Sequence, residues 1–501
     1  MKQKLKILLK VFFGVGIIVL SSCKKTLDNL ASLNTNENQP LQASSPTLLT
    51  AAEFSGVMLD QGGFGNGNAG DGFLGIFAQH LAGNHAQGIN YNQYILTASD
   101  FAGLFQDAYV SSLMNLKQLI NNALPNESGY VGIAEILQAY QLGYLTSLYG
   151  DIPWSQALDV IKYPHAKYDA QADIYVQIQS LLTDAIIKLK ANSSSTISGD
   201  IVYNGNVANW IGAAYLLRAR YYNHLSKKDP QGSATSALLM VDSAKLSGLT
   251  SGAGNFTLPY DGLTSSTTNP WYSQWTNGMI VANKTFLDSM IMQHDPRINA
   301  YFTSINGVSG SNTYGLGKVI SGVPGTGNYM DIGPDDFSYF GQKTSPILLA
   351  TYAELLMIEA EAALRTNNLA RAAAAHNAAV TEQINQMLSL PGSLSSDKAL
   401  VTAYLARFAS ETSSSITLAK VMTEKFKLMF TMEVESWMDV RRMNYQYPTW
   451  LSIPVVDETV TPTVPVASSF IQRLLYPQSE LNNNAANVPN ATIFDKLPIL
   501  Q

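Results

Sequence analysis

A recurring texture in three helical segments constrains the fold of this chain more than any other feature. The segments AEILQAYQLGYL, GAAYLLRARYY and AELLMIEAEAAL are rich in Ala and carry Leu and aromatic residues at helical spacing. Each is followed by a polar turn and by a second helical stretch, and small residues allow two helices to approach closely. The texture therefore predicts a mainly α-helical chain built from packed helix pairs.

The pairs are similar to tetratricopeptide-type helical hairpins, although the strict 34-residue repeat of that class is not kept. We therefore predict an α-solenoid-like scaffold and not a bundle. The predicted helices are Thr47–Met58, Phe101–Asn122, Ile133–Leu148, Asp173–Leu189, Asn209–Leu225, Thr235–Leu246, Ile347–Arg365, Leu369–Leu388, Ala403–Ala409 and Val421–Asn444.

Two long segments interrupt the helical pattern. Residues 248–344 are rich in Gly, Ser, Asn, Thr and aromatic residues, and the chain from Tyr447 onward is rich in Pro and Asn. A long irregular insertion in a compact domain is usually functional, so we expect 248–344 to be a loop-rich ligand-binding part, with short strands possible near Lys318–Ser321. No second domain boundary is evident, and we predict one domain over residues 47–501.

The N-terminus has the features of a lipoprotein signal peptide. A Lys-rich start and a short apolar run lead to Leu20–Cys23, and the run is too short to span a bilayer. Leu20–Cys23 resembles the lipobox of bacterial lipoproteins, which implies a signal peptide over 1–22, acylation at Cys23 and a flexible tether over 23–46. Ordinary secretion with a chance Cys is the alternative.

Composition narrows the range of ligands. Charged residues make up 14% of the chain and the net charge is −6, which disfavours a nucleic-acid-binding protein. Cys23 is the only Cys, so neither an intramolecular disulfide nor a Cys-ligated metal cluster can form. Abundant amides, hydroxyls and aromatic rings suit an uncharged polar ligand, but an extracellular surface of low charge is an equal explanation.

A search for catalytic and metal-binding patterns favours a protein that is not an enzyme and carries no cofactor. The six His residues show no zinc-ligand spacing, and no Gly-x-Ser-x-Gly motif occurs. Glu435 and Asp439 share one helix face as a hydrolytic pair would, yet Arg442 follows them, and a salt-bridged structural face is the better interpretation. Glu361 and Arg365 have the same kind of spacing, and Asp331, Asp335 and Asp336 are interpreted as solvated loop acids.

Two aromatic clusters in irregular segments are the candidate ligand-binding site. Ring faces can stack on a sugar and amides can bond its hydroxyl groups. The candidate residues are Trp271, Tyr272 and Trp275, with Tyr91, Tyr94, Asn90 and Asn92. The alternative is that these aromatic residues attach the loops to the helical core.

Four motifs then make the chain recognisable. They are Tyr149–Trp154 (YGDIPW), Tyr352–Ala362 (YAELLMIEAEA), Glu424–Phe426 with Glu435–Arg442 (EKF and ESWMDVRR), and Arg473–Glu480 (RLLYPQSE). In this order they resemble the motifs of SusD/RagB-type proteins, the nutrient-binding outer-membrane lipoproteins of Bacteroidetes, over nearly the whole mature chain.

The resemblance implies tetratricopeptide-like hairpins with a loop-rich binding part, and a non-catalytic lid on a TonB-dependent SusC-like transporter that imports an oligosaccharide or, in some members, a peptide. The motifs are mostly structural, so the resemblance assigns no ligand residues. Lys24 and Lys25 follow Cys23 where many surface-exposed members carry acids, so cell-surface display is an expectation only. A structural adaptor lipoprotein and a glycoside hydrolase are the alternatives from other classes.

Overall fold

Helices dominate the computed structural model, which describes residues 43–60, 71–83, 87–192, 196–272, 280–302, 341–390, 398–454, 467 and 469–501. The helices in the first half are α1 Ser45–Asp60, α2 Asp71–Ala78, α3 Gln87–Asn92, α4 Ala102–Asp107, α5 Met114–Asn122, α6 Ser128–Tyr149, α7 Gln171–Ala191, α8 Val207–His224 and α9 Pro230–Leu246. Those in the second half are α10 Lys284–Met292, α11 Ile298–Tyr301, α12 Tyr352–Arg365, α13 Leu369–Ser389, α14 Lys398–Phe408, α15 Leu418–Leu428, α16 Glu433–Arg442 and α17 Gln478–Asn483.

Six helices pack side by side in chain order and form the scaffold. Helix α6 packs on α7, α7 on α8, α8 on α9, α9 on α12, and α12 on α13. Helices α9 and α12 are in contact although the loop-rich segment separates them in sequence. The predicted mainly α fold with tetratricopeptide-like hairpins is confirmed.

Small residues allow the helices of the stack to approach closely, as the Ala-rich texture predicts. Gly143 of α6 faces Tyr221 of α8, and a Cβ atom at this position would lie 2.2 Å from the Tyr221 ring. Any side chain larger than hydrogen would therefore force the Tyr221 ring or one of the two helices to shift. The core of the α12–α13 pair includes Ala360 and Ala363 of α12 and Ala372 of α13, all fully buried.

Polar side chains set the first turns of the hairpin helices. Asp229 accepts a hydrogen bond from the Gly232 N–H, and Pro230 follows it at the first helical position. Thr351 and Glu354 form a reciprocal capping box at the start of α12. Each cap satisfies an N–H group that has no partner within the helix, which explains where these helices begin.

Two short antiparallel ladders accompany the helices. Strand β1 (Leu81–Gly83) pairs with β3 (Ile280–Ala282), and β2 (Phe256–Leu258) pairs with β4 (Ile347–Ala350). The predicted helix start at Ile347 is thus wrong, because the apolar run before Thr351 is a buried strand. A periodic pattern cannot distinguish such a run from a buried helix segment.

Two further helix predictions differ from the structure. The predicted helix Val421–Asn444 is divided into α15 and α16, because Thr431 has a φ of 71°, outside the helical region. The predicted helix Phe101–Asn122 is continuous but contains a π-helical turn at Ala108–Leu113. The strands expected near Lys318 and the loop acids Asp331, Asp335 and Asp336 lie outside the described residues. In the part of the chain that is described, no helix has the length and apolar character needed to cross a membrane.

Candidate functional site

The β1–β3 ladder joins backbone that lies near the two predicted clusters in sequence. Gly83, seven positions before Asn90, pairs with Ile280, eight positions after Tyr272. The clusters themselves are nearly two hundred positions apart in sequence.

The first cluster divides between the interior and the surface. Trp271 is 2% exposed, and its backbone N–H donates to the Asn269 side chain at 2.7 Å. Asn269 in turn donates to the Ser345 carbonyl at 2.6 Å, which attaches the segment to the strand before α12. Tyr272 is half-buried, with the Lys343 ammonium 5.1 Å from its ring centroid. Trp275 lies outside the described residues.

The second cluster is mostly internal. Tyr91 is buried among Phe73, Phe77 and Phe101, with ring centroids between 4.9 and 6.2 Å away. Asn92 is buried as well, and its amide exchanges two 2.8 Å hydrogen bonds with the backbone of Gly83.

Tyr94 is 6% exposed and contacts Phe77, whereas Asn90 is exposed. In this conformation Trp271, Tyr91, Tyr94 and Asn92 therefore have packing roles, as in the alternative interpretation of the clusters. Tyr272 and Asn90 keep surface available to a ligand, and with Trp275 they remain the predicted binding residues.

The candidate hydrolytic pair is a buried ion-pair network. Asp439 accepts from Arg442 at 2.5 Å and pairs with Lys425 at 2.7 Å, and Glu435 pairs with His224 at 2.7 Å. Burial would raise the pKa of Glu435, but Arg220 and His224 outweigh it and lower the pKa to about 2. The predicted salt bridge is confirmed for Asp439 and Arg442, whereas Glu435 pairs with His224 and Arg220. The predicted Glu361–Arg365 pair is present at 3.7 Å.

A second buried network joins α10–α11 to α15. Arg297 is fully buried and donates to Asp295 at 2.5 Å and to Glu424 at 2.8 Å. Burial would raise the pKa of Asp295, but Arg297 and Lys427 lower it to about 2. Each charge has an opposite charge as a partner, so the network holds the loop-rich part on the scaffold.

The YGDIPW motif forms the turn between α6 and α7. Gly150 has a φ of 81°, the left-handed region that favours glycine, and Asp151 accepts from the first N–H of α7 at 2.8 Å. Asp169 accepts from the backbone N–H groups of Trp154 (2.9 Å) and Ser155 (2.7 Å). Burial would raise the pKa of Asp169, yet the bonds from Ser155 and Lys167 lower it. The YGDIPW motif thus has a structural role, as the resemblance implies for most of these motifs.

This turn also forms one wall of a cleft that the sequence reasoning missed. The cleft has a volume of about 500 Å³ and lies between the π-helical turn, residues 153–166 and α17. Its lining includes Tyr109, Val110, Leu158, Val160, Gln156 and Asn483. We call it the π-turn cleft. Its wall residues lie in three separate parts of the sequence, and the YGDIPW and RLLYPQSE motifs mark two of them.

Comparisons with known proteins agree with the fold and the motifs. A SusD-like family model described as "Starch-binding associating with outer membrane" matches residues 37–477. A comparison with curated protein sequences finds no match.

Several solved structures are similar. A chitin-binding protein shares 23% identity with a TM-score of 0.70, covering 89% of this chain and 95% of its own. A chitin-binding SusD homolog from Flavobacterium johnsoniae shares 20% identity with a TM-score of 0.67, covering 88% and 93%. A SusD homolog from Bacteroides fragilis shares 20% identity with a TM-score of 0.66, covering 90% and 100%. At these identities the structural likeness shows the fold alone. The family model, in contrast, matches most of the sequence. The chain therefore belongs to the SusD-like family.

Proposed function

We propose that this protein is an outer-membrane lipoprotein that binds an oligosaccharide without transforming it and delivers it to a TonB-dependent SusC-like transporter. The observation that carries the proposal is the family match over residues 37–477, whose description names starch binding and the outer membrane. Anchoring through lipid on Cys23 and display on the cell surface are parts of the same proposal. The family description names starch and two similar structures are of chitin-binding proteins, so an α-linked glucan and a β-linked N-acetylglucosamine polymer are the first ligands to test.

The ligand site proposed consists of the accessible residues of the two aromatic clusters, Tyr272 and Asn90, together with Trp275. Tyr272 is half-buried, and the exposed amide of Asn90 is available to hydroxyl groups. An aromatic wall with a few polar groups is the arrangement that neutral ligands require.

Replacement of Tyr272 by Ala tests this site. The full chain, purified in detergent, is titrated calorimetrically with maltohexaose and chitohexaose. We expect one of the two sugars to bind, and Tyr272→Ala to weaken its binding at least tenfold, because the stacking surface is lost. Thermal melting should change little.

Tyr215→Ala is the matched control. Tyr215 is also half-buried and has a Lys ammonium, that of Lys190, 5.9 Å from its ring centroid, but it lies on α8 in the helical scaffold. Sugar binding should be unaffected by this change. Equal losses in the two variants would remove Tyr272 from the site, and absence of binding to any polysaccharide by a folded protein would count against the function. Turnover of a labelled oligosaccharide would instead indicate an enzyme.

A further inference from the structure

His80 is a buried histidine at the start of the β1–β3 ladder. It directly precedes β1, and its backbone carbonyl accepts from the Asn283 N–H, which directly follows β3, at 2.9 Å. Its side chain is fully buried and contacts Phe426 in the last turn of α15 and Glu433, the first residue of α16. The ring therefore joins the ladder to two helices that are distant from it in sequence.

Both ring nitrogens of His80 face oxygen atoms that accept hydrogen bonds. Nδ1 lies 2.8 Å from Oε2 of Glu433, and Nε2 lies 2.8 Å from the Phe426 carbonyl oxygen. A carbonyl oxygen carries no proton, and neither does an ionised carboxylate. A neutral imidazole has a single N–H, so in one of the two contacts a nitrogen lone pair would face an oxygen lone pair. The doubly protonated ring, in contrast, donates both hydrogen bonds.

The helix ends around the ring favour these charges. Glu433 begins α16, where the positive end of the helix dipole stabilises a carboxylate, and its Oε1 accepts from the Thr431 N–H at 3.0 Å. Phe426 lies at the opposite kind of end, the last turn of α15, where the helix dipole stabilises a cation. An imidazolium between these two ends therefore has a favourable partner on each side.

Glu433 is the charged partner of this ring among the described residues. The rings of Phe286, Phe426 and Phe430 lie around the imidazole, with centroids 4.0 to 5.7 Å away. The charged side chains of the helices that contact His80 pair elsewhere: Lys284 with Asp288, Lys427 with Glu424, Lys425 with Asp439, Arg442 with Glu361, and Glu435 with His224, while Arg441 donates to backbone carbonyls. A proton on His80 is thus compensated by Glu433.

A second buried histidine shows the other arrangement. Nε2 of His224 lies 2.7 Å from Glu435, but its Nδ1 faces the Tyr175 hydroxyl at 2.9 Å. A hydroxyl group can donate to an unprotonated nitrogen, so a neutral His224 ring satisfies both contacts. The Phe426 carbonyl opposite His80 has no proton to donate. This difference makes the His80 contacts, and not those of His224, depend on an additional proton.

We propose that His80 is a proton-dependent tie, which fixes the β1–β3 ladder to α15 and α16 as a doubly protonated ring and releases the ladder when one proton is lost. Histidine is the side chain that most readily changes charge near neutral pH. Because the proton is bound in the folded state, the stabilisation of the ladder is complete at low pH and decreases as the pH rises. The proposal does not depend on oligosaccharide binding.

Hydrogen exchange of the full chain in detergent, followed by mass spectrometry between pH 6 and pH 10, tests the tie. The observed rates are divided by the intrinsic exchange rate at each pH to give protection factors. We expect the protection of Leu81–Gly83 and Ile280–Ala282 to fall at least tenfold as the pH rises, while that of α6–α9 changes less than threefold. Constant protection of the ladder would overturn the proposal, as would an equal loss in the ladder and the hairpins.

Glu433→Gln distinguishes the proton-dependent tie from a contact that is only structural. The new amide N–H can donate to Nδ1 of a neutral His80 ring while the amide oxygen still accepts from Thr431, so no additional proton is needed. Ladder protection in this variant should change less than threefold between pH 6 and pH 10. His80→Gln, which has no titratable ring, should have lower protection at pH 6 and the same weak response to pH. A tenfold fall in either variant would show that a different group titrates.

Glu435→Gln is the matched control, because Glu435 is also buried and also pairs with a histidine, but with His224 and not with His80. Its ladder should lose protection with rising pH as the wild type does. Thermal melting checks that the three variants fold. A weak response to pH in Glu435→Gln as well would assign the effect to the buried charges in general and overturn the role of His80.

Discussion

Buried charged residues are the most distinctive feature of this protein at the residue scale. The chain has few charges, yet many of them lie in its interior, where most form ion pairs. Arg442 is fully buried and donates to Glu361 at 2.7 Å and to Asp439 at 2.5 Å. Burial of Glu361 would raise its pKa, but Arg442 and Lys425 hold that pKa well below its usual range.

Replacement of Arg442 by Met should destabilise the protein strongly. It leaves the buried Glu361 carboxylate without its closest cation, and loss of one partner from a buried pair costs about 3–5 kcal/mol. Lys420→Met is the control, since Lys420 pairs with Glu411 at 2.8 Å but is 46% exposed, and such a pair contributes at most about 1 kcal/mol. Urea denaturation measures both, and similar losses would contradict the special role of the interior pair.

The stability of the fold should decrease in acid, in part through Glu435. Its pKa is about 2 in the folded protein and near 4.5 when unfolded, so its contribution is complete above pH 4.5 and is lost as the pH falls through 2. One group of this kind contributes up to about 3 kcal/mol. Urea midpoints between pH 7 and pH 2.5 should show a shallower decline for Glu435→Gln than for the wild type. Parallel curves would show that Glu435 is not the titrating group.

At the scale of elements, the approach of helices is controlled by single small residues. Gly143 lets α6 contact α8 through the Tyr221 ring, whose hydroxyl lies 3.4 Å from the Tyr140 carbonyl of α6. The hairpin texture was visible in the sequence because it depends on such residues at helical spacing. The strand β4 could not be recognised in the sequence, because four consecutive apolar residues fit a buried helix as well as a strand. Only the pairing with β2 makes this segment a strand.

Gly143→Ala should destabilise the hairpin stack by about 1–3 kcal/mol, because the new methyl group would overlap Tyr221. Tyr221→Leu introduced with it should recover part of the loss by vacating that space. Gly212→Ala on α8 is the control, since its Cβ would meet Leu249 at 3.2 Å and require only a small adjustment. Thermal melts compare five proteins, namely the wild type, Gly143→Ala, Tyr221→Leu, the double variant and Gly212→Ala, and additive effects in the double variant would disprove the proposed overlap.

At the scale of the whole molecule, a few specific hydrogen bonds and ion pairs join the loop-rich part to the helical stack. The long buried helices α6–α9, α12 and α13 supply the continuous core. The loop-rich part depends on the β1–β3 ladder, on Asn269 and on the Arg297 network. Regions with fewer buried contacts open more readily than the core of the same protein.

Hydrogen exchange should reveal this difference in stability. Amides of α6–α9 should exchange slowest, and Asn92→Ala should accelerate exchange at Leu81–Gly83 and Ile280–Ala282 while leaving the hairpins unchanged. The physical reason is that Asn92 supplies both hydrogen bonds to the Gly83 backbone. Asn90→Ala, which removes an exposed side chain, should change little. Uniform acceleration across the protein would mean that the two parts open together.

The sequence by itself determined the helical hairpins and the family, because these depend on local periodicity and on short motifs. Tertiary structure alone decided which aromatic residues reach the surface. Tyr91 and Trp271 have the same local setting as Tyr272, among amides and Gly, yet long-range contacts bury the first two and leave the third half-exposed. The π-turn cleft also depends on tertiary structure, because residues near 110, 158 and 483 line it together. A local sequence pattern cannot show that such distant residues are close in space.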